Sequence, residues 1–502
     1  MKYFLVFIGL FFLNSLIAQK KPNILIIFSD DHAYQSIGAY GSPHNATPNI
    51  DKIAEQGVVF ENTYVTNSIC GPSRAVLLTG KYSHKNGFRD NKNPNFNGDQ
   101  NTFIKELKAA GYQTAWIGKW HLGSDPQGFD YYQIVPGQGL YFNPVFILMD
   151  GSRVRREGYI ANIIQQLAEE WLISIDTSKP FCLIVGHKNT HRTWMPDTSD
   201  LRRFDKVNFP LPATFYDDYE GRQAAKNQDM SIEISMRMDY DLKMLPEDHK
   251  DGNFTRMNKA QKEAHDAYYG PVKKKLEEDK PEGKALTEWK FQRYMRDYYG
   301  TAYSMDKNIG RMMEFLDKRG LTENTLLTYT SDQGFYLGEH NWFDKRFMYE
   351  ESFKTPLIMR FPGKIKPGTR ITEPVVNIDF APTFMEAGGV NPGADIQGQS
   401  FFKLLSGEKI PWRNAVYYHY YEWGEHAVSP HFGVKVGDLK LIRFYKGVEA
   451  WEFFDLKTDP HEIKNLINDP SRAEDIKRMK EELEKIIIYY DDKEALTILK
   501  EN

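Results

Sequence analysis

The chain has few cysteines, only Cys70 and Cys182 in 502 residues. That excludes a scaffold held together by many disulfides. It has no large excess of charge of either sign: 64 basic and 68 acidic side chains leave a formal net charge of −4. Without a global positive field, nucleic acid is excluded as the main partner, and an anionic substrate would need a local basic pocket. Beyond the first residues there is no apolar run of the roughly 20 residues that a membrane span requires, so no stable membrane insertion is expected. Internal repeats and low-complexity segments are also missing.

The N-terminus has its own pattern. Lys2 is followed by an apolar run from Tyr3 to Ile17, then Ala18 and the polar Gln19-Lys20-Lys21. This reads as a cleavable signal peptide over residues 1–18, with a periplasmic or secreted location to follow. No cysteine follows the apolar run, which argues against a lipoprotein.

The remaining length suits one large domain with a smaller companion. Aromatic residues make up 14% of the chain. Such a surplus can line a sugar cleft or simply fill a core.

Continuous apolar runs that end abruptly in polar residues mark strands buried on both faces. Asn23–Phe28 ends in Ser29-Asp30-Asp31, and Thr114–Lys119 is a second such run. Phe181–Val185 ends in Gly186-His187, and Thr325–Ser331 ends at Asp332. Helical patterns alternate with them at 47–56, 102–110, 160–174 and 298–319. The alternation predicts an α/β fold with a large mixed, mostly parallel sheet flanked by helices. Residues 202–288, highly charged and weakly periodic, read as a partly helical surface insertion. After about 390 come four short strands near 416–421, 433–436, 440–444 and 451–455, then a helix over 471–489. The expected plan is a catalytic domain at 22–390 and a small α+β subdomain at 391–502, an antiparallel sheet plus helix.

Cys182 sits within an apolar strand, as a small core hydrophobe does. Cys70 stands among polar and turn residues, in Cys70-Gly71-Pro72-Ser73-Arg74-Ala75-Val76-Leu77-Leu78-Thr79-Gly80. Pro72 suits a first helical turn and Gly80 a helix end. Cys70 would then lie at a helix N-terminus, which favours an anion, with Arg74 one turn in. Alone, the run is equally a structural cysteine beside a capped helix.

With its surroundings the sequence resembles the type I sulfatases, the formylglycine-dependent branch of the alkaline phosphatase superfamily. Their signature, Cys-x-Pro-Ser-Arg followed by a short helix and Thr-Gly, runs from Cys70 to Gly80 without departure. The resemblance extends from Asn23 to about Leu466. It implies an alkaline-phosphatase-like fold. It also implies a maturation partner, either a formylglycine-generating or an anaerobic sulfatase-maturating enzyme, that oxidises Cys70 to formylglycine (3-oxoalanine). A hydroxyl of the hydrated aldehyde then attacks sulfur.

The same resemblance implies one divalent cation, Ca²⁺, held by Asp30, Asp31, Asp332, Gln333 and residue 70. Oxygen donors suit such a hard ion. Many members carry Asn or His where Gln333 stands, though Gln still offers a carbonyl oxygen. Arg74, Lys119 and Lys345 are implied to contact the sulfate. His121, in Gly118-Lys119-Trp120-His121, would act on the hydrated aldehyde. His191 would protonate the leaving oxygen, worth typically about 10²–10⁴-fold.

His187, Lys188 and Arg192 either line the sugar pocket or pack structurally, and Arg346 is expected to be structural. Glu422 and His426, in the late run Tyr420–His426, either reach the mouth of the site or pack. His187-Lys188 and this late run look closest to sulfatases acting on sugars, similar to N-acetylglucosamine-6-sulfatases and to bacterial enzymes for glycosaminoglycans or algal polysaccharides like ulvan, which implies a sulfated carbohydrate substrate. Two rivals are a phosphate or phosphonate monoester hydrolase of the same superfamily and a non-catalytic carbohydrate-binding protein.

Overall fold

The computed structural model describes residues 21–92, 94–246 and 249–501. The expected signal peptide at 1–18 lies outside the described residues.

The described residues form sixteen strands: β1 Asn23–Ser29, β2 Val58–Phe60, β3 Thr63–Tyr64, β4 Gln113–Lys119, β5 Tyr131–Val135, β6 Val145–Leu148, β7 Arg153–Arg155, β8 Phe181–Gly186, β9 Thr325–Ser331, β10 Leu357–Arg360, β11 Thr369–Ile371, β12 Val375–Val376, β13 Ala415–Tyr420, β14 His431–Val436, β15 Leu439–Phe444 and β16 Ala450–Asp455. Ten of them form one sheet in the order β11-β2-β10-β9-β1-β8-β4-β5-β6-β7. Its centre, β9-β1-β8-β4-β5, is parallel throughout. The flanks are mixed, with β10 antiparallel to both neighbours and β6 antiparallel to β5 and β7.

The alternation of side chains along β1 explains its unbroken apolar run. Ile24, Ile26 and Phe28 enter one core with Leu77, Trp116 and Phe384. Leu25 and Ile27 enter the opposite core with Ile164, Met305 and Leu316. Helices Cys70–Thr79 and Phe380–Ala387 cover the first face, and Ile160–Ser174 and Gly283–Lys318 the second. The C-terminal part is a four-stranded antiparallel sheet, β13-β14-β15-β16, packed by helix Ala473–Tyr490.

Two features differ from the sequence reading. The helix expected to begin near 298 begins at Gly283. Its first half is rich in charge, which hides the buried stripe of Phe291, Tyr294, Met295 and Tyr298. The segment 202–288 is also more than a surface insertion. Phe204, Phe209, Phe215, Ile232, Met236 and Leu242 are buried in a core of their own with Trp194, Tyr294 and Phe343. Much of that segment is turn, so its apolar residues follow no single period.

Candidate active site

The candidate side chains gather at the C-terminal edge of four adjacent parallel strands. Asp30 and Asp31 follow β1, Asp332 and Gln333 follow β9, Lys119 closes β4, and His187–His191 follow β8. Chain segments leaving parallel strands meet there, as open α/β sheets generally arrange. Cys70 is the first residue of helix Cys70–Thr79, and every residue of that helix is buried.

Charge is dense and almost fully enclosed. Arg74 gives Nε and Nη2 to Asp332 Oδ2 at 3.1 and 2.9 Å and Nη1 to the Lys119 carbonyl at 3.0 Å. Its guanidinium lies 4.8 Å from the Phe28 ring centre. Lys119 Nζ is bound to Asp30 Oδ2 and to Gln138 Oε1. Lys345 Nζ bridges both oxygens of Asp31, each at 2.7 Å. Gln333 donates its amide to Asp31 Oδ1 and stands 3.7 Å from Cys70 Sγ.

Asp30, Asp31, Cys70 and His191 each offer one ligand atom, all within 4.8 Å of one another. Asp30 Oδ1 and Gln333 Oε1 are buried without hydrogen-bond partners among the described residues. These orphaned oxygens beside two carboxylates are the donor set of a hard divalent cation, so the residues fit the implied Ca²⁺. Asp332 stands outside the tight group. Its Oδ1 accepts from the Asp31 N–H and its Oδ2 from Arg74. Gln333 turns its nitrogen toward Asp31, and half a turn of the amide would present Oε1 instead.

The field sets the protonation pattern. Burial opposes ionisation of Asp30, but Lys119 beside it, with His191 and Arg74, holds it well below the usual carboxylate range. Burial, with Asp30 close by, pushes Asp31 up against the pull of Lys345. Asp332 is pushed up to about 7 by burial and by Asp30. Burial pushes the Cys70 thiol up as well. A thiol held protonated is a poor nucleophile, so Cys70 is not activated as such.

His191 lies beside the charged cluster and is only half-buried. Its Nδ1 meets the Arg192 carbonyl at 2.7 Å and its Nε2 is 3.8 Å from Asp31 Oδ2. Burial, Lys119 and Lys188 hold it well below the usual imidazole range. The loop is braced from three sides. Tyr141 Oη donates to the His191 carbonyl, Arg192 is paired through two nitrogens with Asp241, and Lys243 Nζ holds the Thr193 and Trp194 carbonyls. His121 has a left-handed backbone and a buried Nδ1 without a partner, and burial with Lys119 depresses its proton affinity strongly.

The remaining candidates separate. Lys188 is buried, with Nζ 4.9 Å from the Tyr141 ring centre, and is pushed down to about 7 by burial and Lys119. Asp30, Asp31 and Cys70 also act on it. His187 is pushed down to about 4 by burial alone, with no charged group of the cluster acting on it. Arg192 is engaged by Asp241. Glu422 binds Arg346 Nη1 at 3.0 Å and the Asn91 N–H at 2.9 Å. His426 Nε2 is 3.4 Å from Asp344 Oδ2, which raises its proton affinity against burial.

Several residues of the site carried no sequence signal of their own. Asp344 precedes Lys345 and joins Arg346 at 3.2 Å and His426. Gln138 and Tyr141 lie in the loop after β5, and Asp241 and Lys243 in the charged segment.

The chain is similar over most of its length to known proteins. A family model described as Sulfatase matches residues 22–390, and one described as N-sulphoglucosamine sulphohydrolase, C-terminal, matches 338–488. The chain is 46% identical over 489 residues to an N-acetylglucosamine-6-O-sulfatase of Bacteroides thetaiotaomicron, covering 94% of this chain and 87% of that one. It is 29% identical to an arylsulfatase of Clostridium perfringens, covering 93% and 94%. A solved structure of a protein in complex with its substrate D-glucosamine-2-N,6-O-disulfate matches with a TM-score of 0.92 at 45% identity, covering 94% of this chain and 99% of that chain.

Proposed function

The chain belongs to the sulfatase family, and we propose that this carbohydrate sulfatase removes a 6-O-sulfate from a glucosamine-type sugar, with residue 70 as the nucleophile after its oxidation to formylglycine. One observation carries the reading. Cys70 Sγ, two aspartates and His191 share a cluster within 4.8 Å, and three fixed cations surround it. The glucosamine assignment rests on the relatives that act on 6-O-sulfated glucosamine.

A Ca²⁺ would be held by Asp30, Asp31, Gln333 through its carbonyl oxygen, and residue 70, with Asp332 completing the set once Arg74 shares it. Such an ion would polarise the sulfuryl oxygens and orient the nucleophile. Arg74, Lys119 and Lys345 hold fixed positive charge where negative charge persists on those oxygens, with little reorganisation during reaction. His191 keeps Nδ1–H on the Arg192 carbonyl, which leaves Nε2 to carry the proton for the departing sugar oxygen. An anionic ester placed among these cations offsets their field and restores proton affinity to His191. His121, neutral at rest, is suited to accept a proton from the nucleophile's remaining hydroxyl. Asp344, Arg346, His426 and Glu422 make the polar wall beside Lys345 that would read sugar hydroxyls.

The proposal includes export to the periplasm or beyond, supported by Lys2 and the apolar run that follows it. The test is purified enzyme, co-expressed with a maturation enzyme and offered D-glucosamine 6-sulfate, its N-sulfated form and a phosphate monoester. Sulfate release from the sugars and little phosphate release is the expected outcome. Faster phosphate release would overturn the reading.

A further inference from the structure

The ten-stranded sheet ends in an edge strand whose sequence is Arg153-Val154-Arg155, all three residues exposed. Arg156 follows, half-buried, and Arg256 lies alongside, its carbonyl accepting from Arg155 Nη2 at 2.8 Å. Arg156 Nη2 donates to Gln133 Oε1, a neutral acceptor. Among the described residues, none of these four guanidinium groups makes an ion pair with a carboxylate. Two carboxylates flank the run without bonding to these arginines: Glu157 accepts from Asn258 and Asp150 from the Ser152 N–H. The chain's net charge is −4, so this local excess is not the average of the surface.

The register places the patch. Lys119 pairs with Val135 at the end of β5, and Ile134 pairs with Ile147 of β6. Arg155 pairs with Val145, which lies beyond that level. Arg155 therefore stands at the same edge of the sheet as Lys119 and the catalytic cluster. Three strand steps separate β4 from β7, about 14 Å at the usual strand spacing. A short oligosaccharide can bridge that distance. Arg153 and Arg155, two residues apart, present their side chains on one face of the strand.

We propose that Arg153 and Arg155 form an anion-binding subsite for sulfate groups on sugars beyond the one being desulfated. The proposal rests on the sulfatase reading, because that supplies a polysulfated glycan as the occupant. Planar guanidinium groups without competing carboxylates match sulfate oxygens in fork geometry. The other explanation of a charged edge strand is protection against pairing with another sheet. It requires charge but no preference for long sulfated substrates.

The test uses full-length matured enzyme and Arg153→Gln/Arg155→Gln, with D-glucosamine 6-sulfate and a size-defined heparin hexasaccharide as substrates. Both side chains are exposed, so unchanged melting temperature and unchanged monosaccharide turnover are expected. KM for the hexasaccharide should rise about tenfold, and its dependence on salt should weaken. Arg153→Lys/Arg155→Lys should recover most of the loss. Equal change on both substrates, or no change on the hexasaccharide, overturns the subsite. So does tighter binding of duplex DNA than of the hexasaccharide through the same arginines, which marks a general polyanion surface. If the wild-type enzyme releases no sulfate at all, the sulfatase reading fails instead. Calorimetric titration with the hexasaccharide then decides the subsite separately, by whether binding depends on Arg153 and Arg155.

Discussion

Lys345 places its ammonium 2.7 Å from both carboxylate oxygens of Asp31, with both side chains almost fully buried. The pair is both a structural clamp and a pre-positioned cation. Removing one partner of a buried pair leaves an unbalanced charge, a change that typically costs about 3–5 kcal/mol. Lys345→Met is expected to reduce sulfate release by about 10²–10³-fold, the loss seen when one fixed charge-stabilising donor is removed. In chelator, its melting temperature should fall several degrees below wild type. Added Ca²⁺ should narrow that gap, since an ion beside Asp31 supplies the missing positive charge. A gap that Ca²⁺ leaves unchanged would show that Asp31 does not ligate it.

Burial holds the Cys70 thiol protonated, so the unmodified side chain is a poor nucleophile. Cys70→Ala should abolish turnover while leaving the melting temperature within a few degrees of wild type. Mass spectrometry of the tryptic peptide ending at Arg74 should show the aldehyde only in protein co-expressed with a maturation enzyme. Activity should scale with the converted fraction. Turnover in Cys70→Ala would falsify the nucleophile assignment.

These two residues also show what was legible in the sequence. Asp30, Asp31, Lys119 and Asp332 end central strands, where an unbroken apolar run stops at a polar residue. Burial on both faces writes that pattern directly into the chain. The turn chemistry of the Cys70–Gly80 run marks a helix start and end, but only its resemblance to the sulfatase signature singles out residue 70 as a nucleophile. Tyr141, Gln138, Asp241 and Lys243 act through irregular backbone, where no periodicity marks a position as inward. The segment 202–288 looked solvated because charge dominates it, yet Asp241 is fully buried against Arg192. Glu422 and His426 were legible as candidates, but their partners Arg346 and Asp344 become apparent only once the small sheet is docked.

Glu452 on β16 predicts a pH dependence away from the site. It is fully buried, accepts from Tyr349 Oη at 2.8 Å, and its other oxygen has no partner among the described residues. Burial pushes it from 4.5 up to about 7. A carboxyl raised in the folded state binds a proton that the unfolded chain has released. Stability from this group is therefore full below pH 4.5 and falls as pH rises towards 7, by about 3 kcal/mol over the window. Glu452→Gln removes the titration and keeps an acceptor for Tyr349. Urea unfolding across that range should find the two proteins similar at pH 4.5. The Gln variant should be progressively more stable above it, and parallel curves would sink the assignment.

Gly118 on β4 carries Lys119 into the site, and the backbone there allows no side chain. Its φ is +106°, and a Cβ would come within 2.0 Å of the Gly186 carbonyl oxygen on β8. The backbone conformation alone costs a non-glycine residue about 1–3 kcal/mol, and the clash forces β4 from β8 where Lys119 meets Asp30. Gly118→Ala is expected to lower the melting temperature by several degrees. Sulfate release should fall by more than tenfold even at temperatures where the protein remains folded, because proximity is lost at the reacting centre. Circular dichroism melts beside single-temperature kinetics separate the two effects. Full activity in a destabilised Gly118→Ala would mean that Lys119 reaches the site without the strand register that now places it.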